Sequence, residues 1–467
     1  RKPGKESLTL SSASASSPQP VNDRLIMTVW TCGLFIVIMN TTMFNVSMPS
    51  IIRDLHITAD LASWIISGYS IGYALSTVIY SRLSDSVPLR RLLVIGLTVL
   101  GIASMTGLFA RSFAILLAAR LLQSAGAGVM AGLGLIIAGR YVPANRRGSA
   151  IAMISAGSAM AFGMGPIVGG LITEYWGWNG LFGFTCLVLL VMPFLLRLLP
   201  KDAPPSSGFD AAGAALTVIN ALSLLLAITR LSPWWLAVSL LSLIVHVWHI
   251  RRSRSPFLNS GLLKNRSYRK LLAVGWCVLV MNLGNLFLMP LALADLYGRS
   301  PLAIGLTIAP GAVLSAILTP FVGRWIDRFG NRLFLLIGHG VLAGVLLAQM
   351  LGVSRSAAFI LCGYLLFSPA ISASTASLNN ETSQLLPRES LGSGMGFMQL
   401  MQFFGGSVST AVCGLLLHHY SALPAADSYS KVYAVLLGVS LISSAVLAWY
   451  CLASRQTRGG EGTAGAV

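Results

Sequence analysis

GRWIDRFGNR, residues 323–332, and SRLSDSVPLR, residues 81–90, decide how this chain folds. Each follows a long apolar run. Arg82, Asp85 and Arg90 fall on Arg324, Asp327 and Arg332 at one constant offset of 242 residues. Asn40 falls on Asn282 at the same offset. At an offset of 244, RLLQSAG (120–126) falls on YLLFSPA (364–370), and Gly148-Ser149 on Gly392-Ser393. One basic loop resembles another easily, but matches that recur in chain order mark a repeat.

The runs between these loops are built for lipid. Of the 467 residues, 55% are hydrophobic and only 10% charged, with a mean hydropathy of +0.77; a soluble domain carries about 25% charge. A helix needs about 20 apolar residues to cross the hydrocarbon. Fourteen blocks qualify: 25–47, 61–80, 92–110, 113–137, 149–173, 178–199, 211–229, 234–250, 271–294, 302–322, 333–352, 356–377, 392–417 and 432–452. The offsets match blocks one to six with blocks nine to fourteen, so blocks seven and eight are an insert. The sequence predicts an all-α polytopic membrane protein of two parallel-repeat six-helix bundles plus two inserted helices. The predicted divisions are a disordered tail (1–24), a first bundle (25–200), a linker with the inserted helices and a basic loop (201–270), a second bundle (271–454) and a short tail (455–467).

Charge placement tests the count. Cytoplasmic loops collect Lys and Arg. With the N-terminus inside and the loops alternating, 25 of the 32 basic residues fall inside and six outside, and both termini are cytoplasmic. A wrong count would scramble that asymmetry. The net charge of +18 is spread between apolar blocks and forms no groove-sized patch, which excludes a nucleic-acid partner. The six cysteines lie inside apolar runs without CxxC spacing, so no metal or redox site is expected. No GxxxxGK[ST] phosphate loop occurs and no cofactor is expected. Neither a catalytic cluster nor a long soluble loop is present, so the chain does not read as an enzyme.

The remaining basic residue is Arg120, deep in the fourth block with Gln123 on the same face. A guanidinium stays protonated, and an intramembrane charge is a functional-site hypothesis by default. Other polar groups able to face a cavity are Asn40, Thr41 and Asn45 in block one, Tyr69 in block two, and Asn282 and Asn285 in block nine. Tyr364, the repeat partner of Arg120, and Gln399 and Gln402 in block thirteen complete the set. Intramembrane amides also serve as helix glue. GMGPIVGG (163–170) places Gly165 and Pro166 in block five, for close packing or for a hinge.

These motifs resemble the major facilitator superfamily. GRWIDRFGNR is similar to its loop signature, and SRLSDSVPLR to a degraded copy with Ser81 and Pro88 where the family has glycines. ARLLQSAGAG is similar to the RxxQGxG signature of the fourth helix, with Ser124 for the first glycine. GMGPIVGG is similar to the fifth-helix signature of drug antiporters. NVSMPSIIRDL (45–55) with Trp64 and Tyr69 resembles the fourteen-helix drug:proton antiporters, among which the chain is most similar to the Gram-positive tetracycline pumps. The resemblance implies a multi-pass transporter of a bacterial plasma membrane that exports a drug, with tetracycline the leading substrate and the proton as coupling ion. It implies alternating access, with Gly165 and Pro166 in the hinge and Asp85, Arg90, Asp327, Arg328 and Arg332 in the cytoplasmic gate.

One departure stands out. Asn40 and Thr41 occupy the place of a first-helix acid, and Gly406 that of the acid in block thirteen. No Asp or Glu is expected deep in the membrane. The proton carrier stays open between the substrate, a histidine (His339, His246, His249, His418 or His419) and an acid near the outer mouth such as Asp54 or Asp295. An exporter of an anionic or lipid-like metabolite with weak or no coupling is the alternative.

Overall fold

The computed structural model describes residues 22–143, 146–200, 209–253, 260–387 and 391–463, with side chains up to residue 452. Among them the regular elements are helices: α1 (Asp23–Leu55), α2 (Ala59–Leu83), α3 (Leu89–Leu108), α4 (Phe113–Tyr141), α5 (Arg147–Trp176), α6 (Gly180–Cys186), α7 (Val188–Leu198) and α8 (Ala211–Arg230). Then come α9 (Pro233–Arg252), a 3-10 turn (Ser260–Lys264), α10 (Arg266–Tyr297), α11 (Pro301–Phe329), α12 (Asn331–Gly352), α13 (Ala357–Leu385), α14 (Leu391–His419) and α15 (Ala425–Thr463). The sixth block is α6 and α7 joined by a tight turn at Leu187, so the fourteen blocks are fourteen membrane helices.

Thirteen of these are long and apolar enough to cross a membrane; α2 is not among them. Its hydroxyls explain this. Ser63, Ser67, Ser70, Ser76 and Thr77 are buried between neighbouring helices, and Thr77 bonds to a backbone carbonyl of its own helix. Packed between α4 and α14, α2 meets protein where other helices meet lipid.

The expected tail ends earlier than the sequence suggests. Asn22 caps the Leu25 amide, and Asp23 and Arg24 already belong to α1. Asp23 is fixed by an ion pair to Arg146 at 3.1 Å. Residues 1–21, Lys201 and Arg388 lie outside the described residues. The twelfth block, expected over 356–377, runs on to Leu385 as α13 and takes in Glu381.

The repeat is visible as matched packing. α1 packs on α5 as α10 packs on α14, α2 on α4 as α11 on α13, and α3 on α4 as α12 on α13. The two bundles meet along α5–α11 and α2–α14, which the repeat exchanges, and along α1–α10, which it relates to each other. That is the signature of a two-fold axis through the middle of the assembly. The insert α8–α9 forms a hairpin that leans on α14.

The seams are closed at one end only. A Cβ on Gly170 would lie 2.6 Å from the Pro301 carbonyl oxygen, and one on Gly414 2.7 Å from that of Ala59. Adding 244 to position 170 and subtracting 242 from position 301 carries the first pair onto the second. Gly305 presses on the Pro166 carbonyl in the same seam. At the opposite end, which carries the loops 81–90 and 323–332, Gly148, Gly323, Gly392 and Gly396 meet nothing within 4 Å. Residues 147–160 of α5 bury only Ala150, whereas Gly163, Gly165, Pro166, Gly169 and Gly170 are all buried. The structure is zipped at the far end and splayed at the basic end.

Candidate functional site

Arg120 projects from α4 into the interior of the first bundle and is 1% exposed. Its Nη1 donates to Asn40 Oδ1 at 2.6 Å and to Gln123 Oε1 at 3.0 Å, and its Nε donates to the Ile65 carbonyl at 3.5 Å. Phe44 and Tyr69 present their rings to the guanidinium, each with its centroid 3.9 Å away. No acid pairs with it among the described residues.

The two amides are held oxygen-first. Asn40 Nδ2 donates to Thr185 Oγ1, whose hydroxyl donates to the Leu181 carbonyl. Gln123 Nε2 donates to Ser104 Oγ at 2.8 Å, and Ser104 donates to the Leu100 carbonyl. Each relay ends on a backbone oxygen that cannot donate back, so each amide oxygen must face the cation. An arginine at the centre of a membrane helix costs about 2.5–3.5 kcal/mol on the insertion scale. A hydrogen bond from a charged donor contributes roughly 1.5–3 kcal/mol, and a desolvated ring face about 2 kcal/mol. Two amides and two rings therefore offset the cost without an acid.

The site reaches the seam between the bundles through rings. Tyr69 stacks on Tyr73 at 6.0 Å, and Tyr73 meets Phe403 of α14 edge-on at 5.7 Å. Thus an interior cation touches an element of the opposite bundle through three aromatic side chains. Sequence reasoning named Arg120, Gln123, Asn40 and Tyr69, and the structure brings these four together. It missed Phe44, Ser104, Thr185 and Phe403. The first three are ordinary apolar-helix residues in sequence, and only their depth beside an arginine gives them a role.

The other candidates are dispersed. Thr41 bonds to the Ile38 carbonyl, and Asn45 Nδ2 to the Thr41 carbonyl while its Oδ1 finds no partner. Asn285 is wholly buried in the second bundle, accepting from the Tyr433 hydroxyl at 3.3 Å. Gln402 donates to Asn379 at 3.5 Å. Tyr364 stacks on Phe367 and packs against Gly311 of α11. Asn282 and Gln399 are half-buried. Of the helix-five glycines, Gly165 and Gly169 face Thr42 and Met43 of α1, inside the bundle, whereas Gly163 and Gly170 face α11 across the seam.

At the basic end the loop residues pair within their own bundles. Asp85 faces Arg140 at 3.7 Å. Arg332 donates to Glu381 at 3.0 Å, joined by Asn331 Nδ2 at 3.0 Å and the Tyr450 hydroxyl at 2.7 Å. Asp327 lines a polar cavity of about 420 Å³ with Arg332, Asn380 and Glu381 and forms no ion pair among the described residues. Arg328 covers the Phe329 ring, and Arg90 is half-buried. Glu381→Ala leaves three donors without their acceptor and is expected to cost roughly 2–4 kcal/mol of stability. Unfolding of the detergent-purified protein measures it, and Glu381→Gln should recover part of the loss.

At the zipped end a cavity of about 240 Å³ lies between the bundles. Pro49, Ile52 and Ala59 line it from one side, and Leu291, Asp295 and Tyr429 from the other. Asp295 accepts from the Tyr429 hydroxyl at 2.6 Å. Nearby, His418 and Asp60 face each other at 3.7 Å across the α2–α14 seam. His339 is buried, with one ring nitrogen on the Leu335 carbonyl and the other on Ser443. That geometry satisfies a neutral imidazole. No group of three or more potential metal ligands occurs among the described residues.

A family model described as Major Facilitator Superfamily matches residues 30–410 and 271–464. The chain belongs to the Major Facilitator Superfamily. Membership makes it a multi-pass membrane transporter of a small molecule, not an enzyme. It is 26% identical over 398 residues to the multidrug resistance protein Stp of Mycobacterium tuberculosis, covering 82% of this chain and 74% of that one. It is 23% identical over 394 residues to the riboflavin transporter RibZ of Clostridioides difficile, covering 83% and 86%. Among solved structures, the peptide transporter POT in complex with sulfate shares the superfamily fold with a TM-score of 0.68 at 15% identity, covering 92% of this chain and 94% of that one. A variant of the nucleoside transporter NupG gives 0.66 at 12% identity, covering 92% and 100%.

Proposed function

We propose that this transporter is a secondary active efflux pump for drug-like molecules that works by alternating access in a bacterial plasma membrane. The observation that carries the reading is the pair of matched seams, interlocked through Gly170, Gly305 and Gly414 at one end and open at Gly148, Gly323, Gly392 and Gly396 at the other. Such a pair of bodies has a mirror pose with the opposite end closed. The first bundle (25–200) and the second (271–454) are the moving bodies, and the insert with its flanking loops (201–270) links them. The positive-inside asymmetry sets the open, basic end in the cytoplasm, with both termini there. The name of the Mycobacterium tuberculosis relative supports a drug as cargo, with tetracycline as the first compound to try.

Proton antiport is the energy source in this reading. Arg120 is satisfied by amides and rings and, among the described residues, has no acid to exchange a proton with. Asp295 is the acid that lines the cavity between the bundles at the zipped end, which makes it the carrier proposed here. Expression in a drug-sensitive host should lower the accumulation of at least one compound in a panel; if no compound accumulates less, efflux of drugs is wrong. In proteoliposomes an imposed pH gradient should accelerate wild-type transport, and Asp295→Asn should lose that response. Wild-type transport that ignores the gradient would remove the antiport.

A second reading is export of an anionic or lipid-like metabolite with weak or no coupling. That no acid stands beside Arg120 among the described residues, and the riboflavin transporter among the relatives, favour it. A metabolite panel in the same vesicles separates the two.

A further inference from the structure

The inserted hairpin is not needed to complete either bundle, yet it encloses something. Between α8, α9 and α14 lies a cavity of about 270 Å³, lined by Ala221, Leu224, Val247, Phe397, Leu400 and Phe404 among others. Drug sites are typically about 300–1,000 Å³ and carry several convergent polar groups. This cavity is smaller and nearly all apolar. Its polar members are Thr217, Asn220 and His246, and of these His246 is 5% exposed and has an Nε2 with no partner. Asn220 already donates to the Ser239 carbonyl and Thr217 to the Gly213 carbonyl.

One wall of the cavity reaches the basic end. Ile250 and Leu263 line it there, and each is followed directly by an exposed cation, Arg251 and Lys264. Arg252 is exposed beside them, over the Trp248 ring. The acid at this end, Asp210, is taken up by His249 at 2.8 Å and by the Gly213 amide at 2.9 Å. His246 is five residues from Arg251 along α9, about 7.5 Å along the axis. From the surface inward the order is therefore cations, one hydrogen-bonding nitrogen, and an apolar slot.

We propose that this cavity holds one acyl chain of an anionic phospholipid, with its phosphate on Arg251 and Lys264 and an ester oxygen accepting from His246. Amphiphiles of that charge and length match the order of groups, and basic pockets between membrane helices attract anionic headgroups. The hairpin then acts as a lipid-filled buttress on α14, the helix that carries Phe403 and the Gly414 seam. The assignment does not depend on which solute the pump exports.

Native mass spectrometry of the purified protein, after exchange into phosphatidylglycerol or phosphatidylcholine, tests it. One phosphatidylglycerol should stay bound under activation that strips phosphatidylcholine. Each of Arg251→Gln and Lys264→Gln should lower phosphatidylglycerol affinity about fivefold. Ala221→Trp fills the slot and should remove the retained lipid while the protein elutes as a single species. If that variant misfolds, His246→Leu provides the second measurement, with weaker retention and unchanged elution expected. Equal retention of the two lipids, retention unchanged by both Ala221→Trp and His246→Leu, or a retained molecule that proves to be the exported solute would each overturn the proposal.

Discussion

Arg120→Lys is expected to reduce transport about 100-fold while the protein still reaches the membrane in near-normal amount. Lysine keeps the charge but is a point donor on a flexible stem. It cannot present a planar fork to Asn40 and Gln123 while lying flat between the Phe44 and Tyr69 rings. Losing one charged hydrogen bond and one ring face removes roughly 3 kcal/mol, which corresponds to about 100-fold if that energy sets the rate of interconversion. Arg120→Ala should behave differently. It leaves Asn40 Oδ1 and Gln123 Oε1 buried without a donor, at about 1–3 kcal/mol each, and empties the space between two rings. Its abundance should fall along with its transport. The decisive measurement is initial transport rate divided by membrane abundance for both variants. Arg120→Lys within threefold of wild type would leave Arg120 a packing residue only.

The reason to expect more than packing is the route out of the site. Arg120 fixes Tyr69, Tyr69 stacks on Tyr73, and Tyr73 abuts Phe403 on the opposite bundle. In the proposed sliding of the seam Phe403 leaves Tyr73, and the orientation of Tyr69 is the element that the cation controls. Tyr73→Ala is therefore the natural companion variant: it leaves every hydrogen bond of Arg120 in place and cuts the route.

How much of this was legible beforehand follows from the range of each interaction. The repeat, the helix count and the insert were readable, because apolar runs, loop charges and constant offsets are properties of local sequence. Arg120, Gln123, Asn40 and Tyr69 were readable because a charge and amides in apolar blocks are conspicuous. The manner of neutralisation was not. Phe44, Ser104 and Thr185 come from three other helices, and nothing in their spacing connects them to position 120. The residues proposed for the gate show the converse limit. Asp85 and Arg332 carry a recognisable signature, but their partners Arg140 and Glu381 depend on which end is open. Gly414 was within reach: it is the repeat image of Gly170, and the offset of 244 that aligned the fourth helices would have found it.

That symmetry gives the second large effect. Gly170→Leu is expected to abolish transport and to shift the protein towards a pose open at the far end. A Cβ at this position would meet the backbone of Pro301 and Leu302 at 2.6 and 3.0 Å. Backbone cannot swing aside as a flexible side chain can, so the seam must part. Overpacking of this kind costs about 1–3 kcal/mol, and at the upper end it moves a two-state population about 100-fold. Gly414→Leu should do the same from the other seam, since Ala59 and Ser63 stand where Pro301 and Gly305 stand. Gly148→Leu is the informative contrast. Nothing lies near Gly148 in the present pose, so this pose tolerates leucine there, and any loss of transport arises in the pose with the basic end closed. A single cysteine at position 304, in a background without the native six, reports the shift through its labelling rate from the far side. Labelling should rise at least tenfold in Gly170→Leu and stay at or below the parent rate in Gly148→Leu. Equal labelling in the two variants would mean that the glycines only let helices pack, and that the seams do not exchange.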